Sequence, residues 1–150
     1  MLSLFPFLLL SLLVAEESEE PKPVLESGDI QKFINTFPQI AKAYENLGNK
    51  ITSREDFSKI AALTTNEQVQ GILKKYGWDV ETFGQKLVTI ASGYATAEIE
   101  KQLAQLTPQE RVMYEQMMGG SLNLPDIHPQ DLQLIQSNLK KLTQFFDNME

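Results

Sequence analysis

Apolar residues recur every three or four positions through most of the chain after residue 28, and this spacing predicts helices that each bury one face. The first such segment begins at Asp29 and continues to residue 47. Pro38 lies inside it, so we expect the helix either to kink there or to restart near Thr36. Gly48 follows as the expected left-handed residue beyond the helix end.

Three more helices are predicted in the central part of the chain. A short helix should follow Ser53, and another should begin at Thr65 and end at Gly77. The longest starts after Asp79, whose side chain is a suitable N-cap, and keeps a helical period for about seven turns.

Two glycines, Gly84 and Gly93, lie inside the longest predicted helix. A glycine in a helix interior costs about 1 kcal/mol relative to alanine. Close approach of a neighbouring helix would account for these positions, and a kink at Gly93 is the alternative.

The end of the chain predicts two further helices. Thr107 and Glu110 have the spacing of a capping box, with Pro108 at the first helical position, and the glycine pair at 119–120 should stop that helix. A final helix is expected from Pro129 through residue 146. Because no segment alternates apolar and polar positions with β-branched enrichment, residues 29–150 are predicted to form a single all-α domain, a compact bundle of five or six short-to-medium helices.

The first 28 residues differ in character from the rest. Residues 1–15 carry no charge and are mostly apolar, a stretch shorter than the roughly 20 residues that span a bilayer. They are typical of a signal peptide with Ala15 at the cleavage edge. No basic residue precedes the apolar stretch, and Leu13 stands where a small residue is usual. A buried N-terminal helix or a retained anchor is therefore the alternative.

Residues 16–28 hold five glutamates and the element Pro21-Lys22-Pro23. This composition predicts an acidic tether that is disordered or extended. Together with the signal segment it indicates an exported protein, periplasmic or secreted, with no stable membrane span after signal cleavage.

Charge and composition exclude several kinds of function. The chain has 13 basic and 20 acidic side chains, and its formal net charge of −7 argues against binding nucleic acid. It contains no cysteine, which excludes a disulfide scaffold, a thiolate zinc site, an iron–sulfur cluster and a cysteine nucleophile.

His128 is the only histidine, so a metal site with several histidines is also excluded. As a general base it would need an orienting acid and a nucleophile. Asp126 and Asp131 flank it, but nothing marks a nucleophile. We therefore expect His128 to be a surface residue at a helix start, and we expect no catalytic residue, no metal and no cofactor.

Aromatic and methionine side chains are the candidates for ligand binding. They could line a site for an apolar small molecule, although such residues at helical spacing more often fill a core. In particular, Trp78 lies in a tight turn between two helices and could fill the core without any ligand. The candidate set is Tyr76, Trp78, Phe83, Tyr94, Met113 and Met117.

The segment Leu106–Arg111, followed by Met113 and the pair Met117-Met118, resembles the LTxxQ element of periplasmic stress chaperones of the Spy/CpxP type. In that family a glutamine comes three residues after the threonine. Here Glu110 holds that position and Gln109 precedes it, and the element occurs once.

The chain is also similar to small exported all-helical bacterial proteins of unassigned function. The likeness rests on an aspartate-led helix with the pattern F-x-x-x-F-P, Phe33 to Pro38, and on a K-x-G-W turn, Lys75 to Trp78. It implies export and a helical domain, and it carries over no catalytic or binding residue.

We expect a non-enzymatic binding or interaction protein of the periplasm or cell exterior, with an accessory role in an envelope process and an unidentified protein as partner. The alternative is a carrier of an apolar small molecule, bound between helices near Trp78, Phe83, Tyr94 and Met117. A chaperone should expose a contiguous apolar patch of several hundred Å² on a concave face, whereas a carrier should enclose an apolar cavity of roughly 300 Å³ or more.

Overall fold

The computed structural model describes residues 22–51, 56–119 and 125–149. The expected signal peptide, residues 1–15, the start of the tether and the expected cap Ser53 lie outside these residues. Within them the chain forms seven α-helices and no strand, which confirms the all-α prediction. A 3₁₀ turn, Leu63–Thr65, joins α2 to α3. The helices are α1 Asp29–Asn46, α2 Phe57–Ala62, α3 Glu67–Lys75, α4 Val80–Gln105, α5 Pro108–Met117, α6 Pro129–Ser137 and α7 Leu139–Asp147.

The strongest local signals place helix starts where the sequence predicts them. The Asp79 carboxylate accepts hydrogen bonds from the backbone of Glu81 and Thr82, at 2.9 and 3.0 Å, and caps α4. Both halves of the capping box between Thr107 and Glu110 form at the start of α5. These two helix starts are therefore confirmed.

Two boundaries differ from the expectation, and at Pro38 the structure decides against one of the two alternatives. α1 continues through Pro38 as one helix and does not restart near Thr36. α3 begins one residue later than a Thr65 cap would place it, because the side chain of Asn66 accepts from the backbone of residues 68 and 69 while Thr65 belongs to the 3₁₀ turn.

The expected final helix is divided into α6 and α7 at Asn138. The side chains of Ser137 and Asn138 each donate to the carbonyl of Leu134 at 2.9 Å. Such side chains compete with the backbone for helical partners, which weakens a helix locally. The described residues therefore form seven helices, against the five or six that the sequence predicts.

The two glycines of α4 lie where neighbouring helices approach it. A Cβ added at Gly84 would lie 3.2 Å from the Cβ of Ala61, at the end of α2. A Cβ at Gly93 would lie 2.1 Å from Cδ1 of Ile135 on α6. Close approach of neighbouring helices therefore explains both glycines.

An aromatic cluster forms the centre of the core between α1, α2 and α7. Its rings lie edge-on or tilted, and neighbouring centroids are 4.8–6.2 Å apart. Such arrangements contribute beyond the burial of apolar area. The cluster consists of Phe33, Phe37, Phe57, Phe145 and Phe146.

Residues 22–28, which the sequence assigns to the tether, run along the domain. The buried carboxylate of Asp131 on α6 accepts hydrogen bonds from the backbone of Val24 and Leu25, at 2.8 and 2.9 Å. The Leu25 side chain is buried in the core. These two hydrogen bonds join residues that lie 107 and 106 positions apart in the chain, and they hold the segment before α1 against the bundle.

Within the described residues, no helix combines the length and the apolar character needed to cross a membrane.

Candidate functional site

Three of the six candidate residues lie around the turn between α3 and α4. The Trp78 ring is buried, meets Phe83 edge-on at 5.2 Å and donates through Nε1 to the hydroxyl of Thr36 at 2.9 Å. The Lys32 Nζ lies over the ring, 4.5 Å from its centroid. Tyr76, two residues earlier in the chain, is half-buried. Trp78 therefore packs this turn against α1.

The fourth candidate, Tyr94, lies 11 positions further along α4, which is about 16 Å of helix. It is buried and packs on Phe146 at a centroid distance of 4.6 Å. Its hydroxyl lies 3.4 Å from that of Thr143. Tyr94 thus belongs to the aromatic core.

The last two candidates are exposed on α5. The Met113 side chain is 63% exposed and that of Met117 is 83% exposed. The structure consequently does not gather the six side chains around one site: Trp78 and Phe83 touch, Tyr94 packs elsewhere, and the methionines face solvent.

α5 is the helix that contributes nothing to the core. None of its residues is buried, although it is regular from its capping box to Met117. Besides the two methionines, Val112 is 53% exposed and Met118, just after the helix, is 52% exposed. We call these four side chains the α5 apolar surface.

Local interactions stabilise the start of α5. The backbone N–H and the hydroxyl of Thr107 donate to the Glu110 carboxylate at 2.8 and 2.9 Å and hold its pKa below the ordinary value. Arg111, the next residue, pairs with Glu115 at 3.2 Å. These contacts lie on the surface, and of the helix itself only Tyr114 and Glu115 are half-buried.

Sequence analysis selected Met113 and Met117 but assigned them to the wall of an apolar site. The sequence does contain a sign that these two methionines are exposed. They lie one turn apart in a ten-residue helix, and no longer stripe of apolar residues continues from them along that helix. Val112 and Met118 were not selected, since single exposed apolar residues are common.

Two cavities share Ile51, which follows α1, as a wall residue. One of about 310 Å³ has mostly apolar walls and includes Phe37, Ala41 and Phe145. The other, of about 410 Å³, includes Tyr44, Asp56 and charged lysines. None of the six candidate residues lines either cavity. Of the six, Trp78 lines a third cavity, of about 470 Å³, whose wall is mostly polar.

His128 caps α6: its Nδ1 accepts a hydrogen bond from the backbone of Gln130 at 3.2 Å. Its neighbour Asp131 binds the backbone of residues 24 and 25, while Asp126 is exposed. His128 is thus a helix-start residue, as expected. Among the described residues no group of three or more metal-ligating His, Asp or Glu side chains occurs.

Comparison of the chain with protein-family models, with curated proteins and with solved structures gives no match in any of the three.

Proposed function

We propose that this chain is an exported, non-enzymatic binding protein, and that the α5 apolar surface takes up an apolar segment of another polypeptide. The observation that carries the proposal is a regular helix with no buried residue and four large apolar side chains turned to water.

The energetics favour a partner. Full burial of a methionine or valine side chain contributes about 1.5–3 kcal/mol. The four residues of the α5 apolar surface are 52–83% exposed, so they contribute only part of this to their own domain. Contact with an apolar partner would recover the rest. An unpartnered apolar surface on a soluble domain is a common mark of an interaction site.

The side-chain types favour a partner that is recognised loosely. Three of the four are methionines, which are unbranched, flexible and polarisable and adapt to different apolar shapes. The overall charge of −7 disfavours anionic lipid or nucleic acid as the occupant. The resemblance to Spy/CpxP-type chaperones covers the same segment, Leu106–Met118, and implies the same kind of partner.

A fluorescent amphipathic peptide of leucine and lysine tests the proposal, in about 0.3 M salt to screen charge attraction. We expect the Met113→Gln/Met117→Gln protein to bind it at least tenfold more weakly than the unchanged protein, because two buried methionine contacts are lost. Val88→Gln is the matched control, since Val88 is 41% exposed on α4 and lies outside the α5 apolar surface. Equal weakening by the control, or no difference between the leucine–lysine peptide and one of scrambled order, would contradict the proposal.

Export rests on the character of residues 1–15. Amino-terminal sequencing of the protein recovered from its host should find a mature chain that begins near Glu16. A chain that begins at Met1 would contradict the signal-peptide prediction.

The second candidate function is carriage of an apolar small molecule. The observation in its favour is the 310 Å³ cavity, whose wall is formed by Phe37, Pro38, Ala41, Ile51, Phe145, Asn148 and Met149. Filling it with Ala41→Trp should abolish binding of an apolar dye such as anilinonaphthalene sulfonate while leaving peptide binding intact. Unchanged binding of the dye by the Ala41→Trp protein would contradict carriage in this cavity and favour the α5 apolar surface alone.

A further inference from the structure

The sulfur of this chain is concentrated on the α5 apolar surface. The chain has five methionines and no cysteine. Met113, Met117 and Met118 are each more than half exposed. Met149 is half-buried and packs against the core, and Met1 lies in the expected signal peptide, outside the described residues. Within the described part of the chain, an oxidant that attacks sulfur therefore meets the three methionines of α5 first.

The thioether of methionine reacts with hydroperoxides. A lone pair of the sulfur attacks one oxygen of hydrogen peroxide, and the S–O bond forms as the O–O bond breaks. The hydroxide that leaves takes the proton from the transferred oxygen and departs as water. Sulfur is thereby oxidised by two electrons, the peroxide is reduced, and the product is methionine sulfoxide, which is polar where the thioether was apolar.

The position of α5 confines the effect of oxidation to the surface. None of its residues is buried, so a sulfoxide on this helix does not enter the core. Its capping box and the pair between Arg111 and Glu115 involve no methionine. Oxidation of Met149 would, by contrast, place a polar group against the core. The α5 methionines can therefore be oxidised while the domain stays folded.

Oxidation also opposes the contact that we propose for α5. Met113 and Met117 are four residues apart, which places them on the same face of the helix, one turn apart. A sulfoxide oxygen is hydrogen-bonded to water while it is exposed, and it loses that bond when an apolar partner covers it. The same face that favours an apolar segment when reduced therefore disfavours it when oxidised.

We propose that Met113, Met117 and Met118 form an oxidation site, and that hydroperoxides convert them to sulfoxides and so release the polypeptide partner. The release rests on the proposed function, whereas the site rests only on exposure and on sulfur chemistry. Methionine sulfoxide reductases reverse the change: the oxygen leaves as water while a dithiol is oxidised to a disulfide. Because the chain has no cysteine, that dithiol belongs to another molecule.

Peptide mass spectrometry of the chain after timed exposure to hydrogen peroxide tests the site. We expect each α5 methionine to gain its oxygen at least about threefold faster than Met149, because exposure governs access to the sulfur. Circular dichroism during the exposure establishes that the protein remains folded. Oxidation of Met149 as fast as that of the α5 methionines would overturn the proposal.

The leucine–lysine peptide tests the consequence, after the peroxide has been removed by desalting. Formation of the three sulfoxides should weaken peptide binding at least about tenfold, because the buried methionine contacts are lost. Treatment with reductases for both sulfoxide epimers and dithiothreitol should restore it. The matched control is Met113→Leu/Met117→Leu/Met118→Leu, which keeps these positions apolar without sulfur and should bind equally before and after peroxide.

The outcomes separate this inference from the proposed function. Unchanged affinity once all three α5 sulfoxides have formed, or an equal loss of affinity in the leucine variant, would overturn the release. A peptide that does not bind before oxidation would overturn the proposed function, and the release with it. The order in which the methionines are oxidised would still establish or refute the modification site.

Discussion

Substitution of Gly93 by alanine tests how α4 and α6 pack. An alanine Cβ at this position would lie 2.1 Å from Cδ1 of Ile135, far inside normal contact, and 3.7 Å from Cδ1 of Ile127. Ile135 is fully buried, so its methyl group can move only by displacing other core side chains. The clash should therefore be expressed as lost stability.

Two effects oppose each other in the Gly93→Ala protein. Alanine is better than glycine in a helix interior by about 1 kcal/mol. Overpacking of a core costs about 1–3 kcal/mol, and a contact as short as this one belongs at the upper end. We expect a net loss of about 1–2 kcal/mol in the free energy of unfolding.

A second substitution isolates the clash. Ile135→Val removes Cδ1 and should cost about 1 kcal/mol on its own. In the Ile135→Val background Cδ1 is absent, and the next nearest side-chain atom of residue 135 is Cγ1, at an ordinary 3.4 Å from the new Cβ. Gly93→Ala should then be neutral or stabilising, which gives a coupling free energy of about 2 kcal/mol between the two sites.

Urea unfolding of the four proteins, followed by circular dichroism, measures this cycle. If Gly93→Ala alone is as stable as the unchanged chain, or if the two substitutions are additive, α6 does not approach α4 at Gly93 and the packing described above is incorrect.

Three further outcomes follow from single groups. Tyr44→Phe should raise the unfolding free energy by about 1 kcal/mol, since it removes a buried hydroxyl that has no partner among the described residues, and a decrease in the unfolding free energy measured in urea would mean that the hydroxyl is paired. Asp131→Ala should cost about 2–4 kcal/mol and speed amide exchange in residues 24–25, because one buried and one part-buried backbone N–H lose their acceptor; unchanged exchange would refute the anchoring role. Backbone and side-chain hydrogen bonds from Thr107 lower the pKa of Glu110, so its stabilisation of α5 is present above the ordinary value of 4.5 and is lost as the pH falls through the lowered folded-state value. NMR of α5 should show fraying in acid, and the Glu110→Gln protein should not show this pH dependence.

Much of the helix pattern follows from local chemistry. Asp79 and Thr107 cap α4 and α5 where the sequence predicts, because each side chain bonds to backbone within three residues of itself. Where two neighbouring residues can both cap, as Thr65 and Asn66 can, the pattern does not choose between them. The division at Asn138 is likewise a competition between side-chain and backbone partners that periodicity does not reveal.

Long-range contacts account for most of what could not be predicted. The hydrogen bonds from residues 24 and 25 to Asp131 join positions more than 100 residues apart, so the proline and glutamate content before α1 gave no sign of them. The glycines of α4 were informative because glycine destabilises a helix interior, so its presence there indicates another constraint. That constraint is the close approach of the neighbouring helices.

The candidate sites depend on burial, which residue types alone do not determine. Trp78 and Tyr94 fill the core, whereas Met113 and Met117 face solvent, although all four are large apolar residues at helical spacing. Tyr44 has the pattern of any core residue, and the pattern does not reveal that its hydroxyl has no hydrogen-bond partner in the part of the chain that the structure describes.

The most direct test of α5 as the binding surface uses the unchanged protein with carbon-13 methyl labels on methionine. On addition of the leucine–lysine peptide, the methyl signals of Met113, Met117 and Met118 should shift, while that of Met149, half-buried after α7, should stay in place. If Met149 shifts and the three α5 signals do not, or if no methionine responds, the α5 apolar surface is not where this protein binds a polypeptide.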